Sequence, residues 1–357
     1  MNIVQTYHII KARIEQTVSK ERITRIRTMA WLQSGILESR SVHLTQIASK
    51  LPGTAKKLSV ADRLRCFLNN RHVRVRAWYR RLATALLCEA AQSGQPLRLL
   101  LDGTKIGNGH QLLMVALAYR RRALPIAWTW VRSTRGHSST WKQRALLSYV
   151  HDLIPPDTRV IVCGDCEFAP VQPLVETWQW GYVLRQKGRH LWRQHDTDDW
   201  QSCDTLVTHP GQRRWLTAIH LTQAHAYPCH FLALWQPGES EPWLLATNLP
   251  TAYATQLHYA RRMWIEEMFA DFKRHGFDLE ASRLQHFLRL SRLTLAVAML
   301  YVMLVTWGAQ TIKAGRRPLV DRNDRRDLSI FRIGLDMFVR CLTNLAHISI
   351  RPVPYFL

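Results

Sequence analysis

Acidic residues are scarce in this chain. Its 357 residues carry 26 Asp and Glu against 49 Lys and Arg, a formal net charge of +23. An excess on that scale points to a polyanionic partner, nucleic acid more often than an anionic membrane surface. The seven cysteines are odd in number and scattered, which excludes a disulfide framework and fits free thiols in a reducing cytoplasm; no signal peptide is visible at the start. Cys163 and Cys166 have half the spacing of a zinc site, but Cys203 and Cys229 lie far apart and unpaired, so packing thiols are the reading. There is no H-E-x-x-H pair and no G-x4-G-K-[ST] loop, so neither a histidine metal site nor a phosphate-cradling loop is signalled. No internal repeat or low-complexity tract occurs. Hydrophobic residues make up 47% of the chain and 14 are Trp, which excludes a disordered polypeptide.

The length suffices for two or three domains. One run, 293–312, carries no charge and is long enough to span a bilayer. It contains Thr294, Thr306, Gln310 and Thr311, stands alone and follows a polar helix, so it reads as a buried core helix with no membrane as partner.

Residues 1–95 hold 17 Arg and Lys against 5 Asp and Glu. Their apolar positions recur at helical spacing in 44–51, 60–70 and 75–91, separated by Pro52-Gly53 and Asn69-Asn70. Charged surfaces usually mix signs, so this lopsided one predicts an all-helical DNA-binding domain over 1–95. From Pro96 the pattern changes. An apolar run ends in Asp102, two strands over 112–131 flank a basic turn at Arg120 to Arg122, and a helix capped by Ser138 or Ser139 runs to about Leu153. A second apolar run ends in Asp165, and another strand is predicted over 182–186. This alternation implies an α/β sheet covered by helices, the first part of a catalytic core over 96–189. Residues 190–250 offer strands at 215–222, 230–236 and 242–249, a β-rich insertion. Residues 251–312 return to helix as the second part of the core, and 313–357 form a C-terminal helical segment.

Asp102 and Asp165 each end an apolar strand, where α/β proteins place working side chains. Asp-Gly and Gly-Asp also mark ordinary turns, but two such acids on separate strands of one sheet are harder to assign to turns alone. Further along, Glu266 and Glu267 sit side by side among Arg261, Arg262, Lys273 and Arg274. On a continuous helix at about 100° per residue, Tyr259, Arg262, Glu266 and Lys273 fall within about 60° of arc. Trp264, Ile265, Met268, Phe269 and Phe272 gather on another side as the buried face, and Glu267 lies off the polar row. An Arg262–Glu266 pair would explain two members of the row, worth about 0.3 kcal/mol, but neither Tyr259 nor Lys273. Glu167 shares the neighbourhood of Asp165, but the strand is ending there and turn geometry sets it aside.

The spacing Y-x2-R-x3-E-x6-K, filled by Tyr259, Arg262, Glu266 and Lys273, resembles the signature of the DDE transposases of bacterial insertion sequences, specifically the insertion sequence 4 family. Asp102-Gly103-Thr104 resembles the family's first-aspartate motif, and Gly164-Asp165 followed by Phe168 its second. The order of parts also resembles it: a helical DNA-binding domain, then a ribonuclease-H-like sheet interrupted by a β-rich insertion before the glutamate helix.

The resemblance implies Asp102, Asp165 and Glu266 as catalytic metal ligands, with Tyr259, Arg262 and Lys273 contacting DNA and Thr104 supporting the site. It implies two Mg²⁺ ions, with Mn²⁺ able to substitute, because hard divalent ions take oxygen ligands and can serve both nucleophile and leaving oxyanion. It further implies cut-and-paste transposition without nucleotide triphosphate: cleavage at terminal inverted repeats of double-stranded DNA and strand transfer into target DNA. A homodimer would join the two ends in the synaptic complex, in a bacterial cytoplasm at the nucleoid. The rivals are a ribonuclease-H-like nuclease or resolvase without strand transfer, which need not hold the Tyr259, Arg262 and Lys273 row, and a non-catalytic DNA-binding regulator derived from a transposase, which need not keep three acids.

Overall fold

A computed structural model describes residues 2–18, 20–107, 109–132 and 138–356. Helices come first: α1 (Ile3–Thr17), α2 (Ile23–Ser39), α3 (Leu44–Ala48), α4 (Lys57–Asn69) and α5 (Val75–Ala91). Then follow β1 (Leu97–Lys105), β2 (His110–Tyr119), β3 (Arg122–Arg132), α6 (Thr140–His151), β4 (Val160–Gly164), α7 (Gln172–Thr177) and β5 (Gly181–Arg185). Strands β6 (Leu191–Arg193), β7 (Gln201–Ser202), β8 (Arg213–Leu221), β9 (Tyr227–Leu234) and β10 (Trp243–Thr247) complete the sheet. The chain closes with α8 (Ala252–Tyr259), α9 (Met263–Phe272), α10 (Phe287–Lys313) and α11 (Ile330–Thr343).

All ten strands form one sheet in the order β3-β2-β1-β4-β5-β10-β9-β8-β6-β7. Strands β1, β4 and β5 run parallel to their neighbours in that trio, and β1, β2 and β3 form an antiparallel meander. Strand β4 is buried along its whole length, as expected of a parallel strand covered on both faces. The strands of 190–250 do not build a separate sheet. Strand β10 pairs with β5, Ala246 opposite Leu184, so the insertion extends the central sheet edge to edge.

The uncharged run lies inside α10, whose residues 292–309 are all buried within the protein. Two of its polar residues are satisfied locally: Thr294 and Thr306 donate to the carbonyls of Leu290 and Val302 four residues back, at 2.8 and 2.7 Å, while the Thr311 hydroxyl is buried without a partner among the described residues. The helix is a spine shared by both halves of the chain. Gln33 of α2 donates to the Ala296 carbonyl at 2.9 Å, and Arg292 donates to the carbonyls of Leu68 and Val73 at 2.9 and 3.0 Å. Trp130 of β3 donates to the Thr294 hydroxyl at 3.1 Å. Against α11 the backbones nearly touch, since a Cβ on Gly308 would overlap the Ile330 carbonyl oxygen and one on Gly334 that of Leu304. One contiguous apolar core therefore runs from α1 to α11.

Arg122, the first residue of β3, fixes the sheet to α9. Its Nε donates to Asp271 Oδ2 at 2.7 Å and its Nη1 lies 3.0 Å from Glu267 Oε2, while the Tyr301 hydroxyl of α10 donates to Asp271 at 3.4 Å. Burial pushes the Asp271 carboxyl up to about 6 against the pull of Arg122. Removing one partner of such a pair strands the other. Arg122→Ala is therefore expected to lower unfolding stability by about 3–5 kcal/mol in urea titration, and adding Asp271→Asn should recover part of that loss. A loss below about 1 kcal/mol would show that the pair does not hold the helix.

Candidate active site

Strands β1 and β4 bring two carboxylates to one place. Their parallel register ends with Leu101 opposite Gly164, and Asp102 and Asp165 are the next residue on each chain. Asp165 does end its strand, as the apolar pattern implied. Asp102 does not: β1 continues to Lys105 through its pairing with β2, Asp102 opposite Met114. The hairpin keeps hydrogen-bonding after β4 has turned away, so the crevice opens beside Asp102 and not at the tip of β1. The Gly103 amide donates to Asp102 Oδ1 at 2.7 Å.

The expected single helix through 259–273 is two helices. Tyr259 ends α8, Ala260 to Arg262 form a turn in which the Arg262 amide donates to the Tyr259 carbonyl at 2.8 Å, and α9 begins at Met263. That break decides where the row of side chains goes. Arg262 turns inward, its side chain only 9% exposed, and donates from Nη1 to Asp102 Oδ2 at 3.1 Å and from Nη2 to Glu266 Oε1 at 2.7 Å. A strand acid and the helix acid are thus joined by one guanidinium. Tyr259 is buried beside it, the Arg262 guanidinium 5.7 Å from its ring centroid and the Trp243 ring edge-on at 5.0 Å.

Three polar atoms here are buried without a hydrogen-bond partner among the described residues: the Tyr259 hydroxyl, Asp165 Oδ1 and Arg262 Nε. Asp165 is near enough to act electrostatically on Asp102, Tyr259 and Arg262.

Lys273 goes elsewhere. It caps α9, its ammonium donating to the Lys105 carbonyl at 2.8 Å and lying 3.3 Å from Glu280, so it ties down the end of β1. Glu267 is on the far side of α9 in the Arg122 pair. Glu167 accepts from the Ser138 hydroxyl at 3.5 Å.

Burial dominates the electrostatics. It raises the Asp102 carboxyl to about 7, helped by Glu266 and Asp165 and opposed by Arg262 and the Gly103 amide. Burial works against the charge of Arg262, but Tyr259, Asp102, Glu266 and Asp165 more than offset it and its pKa is raised. Behind the site, burial and the charges of Arg98 and Arg261 push His258 down to about 4, so its Nδ1 is a neutral acceptor for Arg98 Nε at 3.1 Å. The Cys163 thiol, raised to about 12 by burial, sits 3.6 Å from the His258 carbonyl as a packing group. All seven cysteines are free.

Three groups near the site escaped sequence reasoning: Arg122, Asp271 and the Arg98–His258 contact. Asp271 had a signal. At about 100° per residue it falls beside the apolar face of its helix, and a buried acid needs a cation. Nothing local identified Arg122 as that cation, because it arrives from 149 residues away.

The raised Asp102 carboxyl has a consequence for stability. Below about pH 4 the group is protonated folded or unfolded; above about pH 7 it is ionised in both, and the folded protein bears the desolvation. Its contribution is thus lost as pH rises from about 4 to about 7. In chelator-treated protein, Asp102→Asn is expected to melt higher than the parent at pH 8 and alike at pH 4. Equal melting temperatures at both would contradict this.

The family model described as the transposase DDE domain matches residues 94–303, which include Asp102, Asp165 and Glu266. No curated protein matches the chain. A solved piggyBac transposase in a synaptic complex with hairpin DNA is similar at 8% identity and a TM-score of 0.43, covering 98% of this chain and 80% of that one. The family match spans more than half of the sequence, and the chain belongs to the transposase DDE domain family.

Proposed function

We propose that this transposase moves an insertion sequence of the insertion sequence 4 type by cut and paste, cleaving transposon ends and joining them to target DNA. The observation that carries the reading is the Arg262 guanidinium held between Asp102 and Glu266, beside the unpartnered oxygen of Asp165. We read the order β3-β2-β1-β4-β5 as a ribonuclease-H-like core, with β6–β10 as its insertion and α1–α5 as the DNA-binding region. Support for the last comes from charge. From Lys50 to Arg81 ten Lys and Arg are exposed and Asp62 is the sole acid, too one-sided for an ordinary solvated surface.

Transposases of this family generally use a divalent metal. The donor set fits one: three carboxylates supply hard oxygens, and Asp165 Oδ1 is buried with no other partner. Among the described residues the acids do not yet form a cluster that could grip an ion, because Arg262 stands between two of them. Asp102, Asp165 and Glu266 would hold Mg²⁺, or Mn²⁺ in its place. Bound there, the metal would activate the attacking oxygen and neutralise the leaving one.

The side chains do the rest. An incoming phosphate competes with the carboxylates for the fork of Arg262, which suits phosphate as well as carboxylate. Once Arg262 turns to phosphate, Asp102 and Glu266 lose their internal cation and become available as ligands. Tyr259, with its hydroxyl unpaired, offers a hydrogen bond to the same DNA end. Lys273 is in this reading the brace that keeps the Asp102 strand in register, with phosphate contact its second role. Two copies would be needed to hold two ends together.

A plasmid carrying the gene with its flanking DNA is the substrate for the test. Glu266→Gln is expected to lower end cleavage at least about 100-fold while DNA binding persists, and Glu267→Gln to cleave at near the parent rate. The opposite pattern would sink the assignment.

A further inference from the structure

A cleft of about 710 Å³ lies away from Asp102, Asp165 and Glu266. It lies on the other side of the first turn of α9, between the β2–β3 hairpin tip and the loop before α11, lined by Arg120, Arg121, Arg317, Arg326 and Trp264 among others. Its two acids are already spoken for: Glu267 by Arg122 at 3.0 Å and Asp327 by Arg325 at 2.7 Å. Arg121 and Arg326 are exposed, and no carboxylate pairs with either among the described residues.

The hairpin tip is built in an unexpected way. Tyr119 pairs with Arg122, so the turn has two residues, Arg120 and Arg121, at φ 44° and 63°. Two-residue turns with both residues at positive φ are normally Asn-Gly or Asp-Gly, because a long side chain is disfavoured there. Two arginines at the tip work against the local backbone, and such a conflict marks a site where the side chains are wanted for something else. The tip is also anchored to the catalytic helix, since Arg122 is the next residue and grips Glu267 and Asp271 of α9. Met263 connects the two places: it lines the cleft, and its sulfur lies 3.4 Å from Arg262 Nη2.

We infer that this arginine cleft is a second phosphate-binding site, which holds the backbone of duplex DNA as it passes away from the Asp102–Glu266 site around α9. The inference rests on the transposase reading above, which supplies the DNA. The cleft adds a fixed track for it, read by charge and not by base. Arg317 is held by Asp321, but the Arg121 and Arg326 forks have no carboxylate partner among the described residues; such forks bind phosphodiester oxygens, release counterions and leave a salt dependence as their signature.

The measurement is fluorescence anisotropy of a 20-base-pair duplex of arbitrary sequence with the full-length protein, across a series of salt concentrations. The variants are Arg121→Asn, Arg326→Gln and the pair together, with Arg213→Gln on β8 as an exposed control of equal charge change. Asn suits the turn better than Arg, so Arg121→Asn should melt no lower than the parent while losing the contact. Each single variant is expected to weaken binding roughly 5- to 10-fold near 0.1 M salt and to lower the log–log salt slope by about 0.9, the pair by about 1.8. The control should change the slope by much less.

Slopes for Arg121→Asn and Arg326→Gln no different from that of Arg213→Gln would overturn the cleft assignment. So would loss of binding to phosphatidylglycerol vesicles with the DNA slope intact, which would make the cleft a membrane contact. If the parent protein itself showed no salt-dependent DNA binding, the transposase reading would fall with it, an outcome visible without any variant.

Discussion

The active-site region is organised by one guanidinium. Arg262 touches a carboxylate from the sheet and one from the helix, and no other side chain among the described residues links the two. Asp102 and Glu266 meet at this one guanidinium, and carboxylates brought together repel each other, the more so where burial removes water. An internal cation solves the problem for the protein alone. In the proposed reading it would also set a condition on activity, because the charge that stabilises the acids would compete with a metal for them. The same kind of fork suits phosphate, so in the proposed reading arrival of DNA and release of the acids would be coupled through a single side chain. By linkage the coupling works both ways: whatever frees the acids for metal also frees Arg262 for DNA.

Helix α9 can carry this because both of its polar sides are fixed. One side presents Glu266 to Arg262; the other presents Glu267 and Asp271 to Arg122 of β3. Between them Ile265, Met268, Phe269 and Phe272 are buried against the core. A helix of ten residues has little stability of its own, so its orientation must come from such tertiary contacts. The long α10 gives them a foundation, since it packs against β3, α9's partner, and against α2, α4 and α5 as well. In the proposed reading, movement of the N-terminal helices on DNA would be felt at α9 through this one long, largely buried helix.

Much of this was legible in the sequence, for reasons that differ by element. Apolar runs ending in acids located β1 and β4 because parallel strands buried on both faces have no alternation to obscure them. The strands expected at 215–222, 230–236 and 242–249 appear at Arg213–Leu221, Tyr227–Leu234 and Trp243–Thr247, shifted only at their ends. Strands β6 and β7, three and two residues long, are too short for any periodicity to register. The break at Ala260 to Arg262 was hidden for another reason. It holds neither Gly nor Pro, and the helix yields there because Tyr259 and Arg262 gain more from the core and from Asp102 than from continuing the ladder. Helical phase thus chose the correct glutamate for contact with Arg262 while assuming a helix that is not continuous. The row survived because Arg262 and Glu266 are four apart on one short helix turn; it failed for Lys273, which lies past the end of α9.

The placement of positive charge follows from the same constraint. A crevice with three acids cannot attract DNA by itself at long range, and its own arginine is neutralised inside it. Attraction would have to come from elsewhere on the surface, where basic residues far outnumber acids. In the proposed reading the exposed row from Lys50 to Arg81 would meet that need on one side, and Arg121 and Arg326 in the cleft beside α9 would meet it on another. The scarcity of acids in the sequence is then a consequence of how the few are used. Several of those near the site are held by an arginine at a defined distance, and every acid added to the surface would weaken the field that brings a polyanion to them.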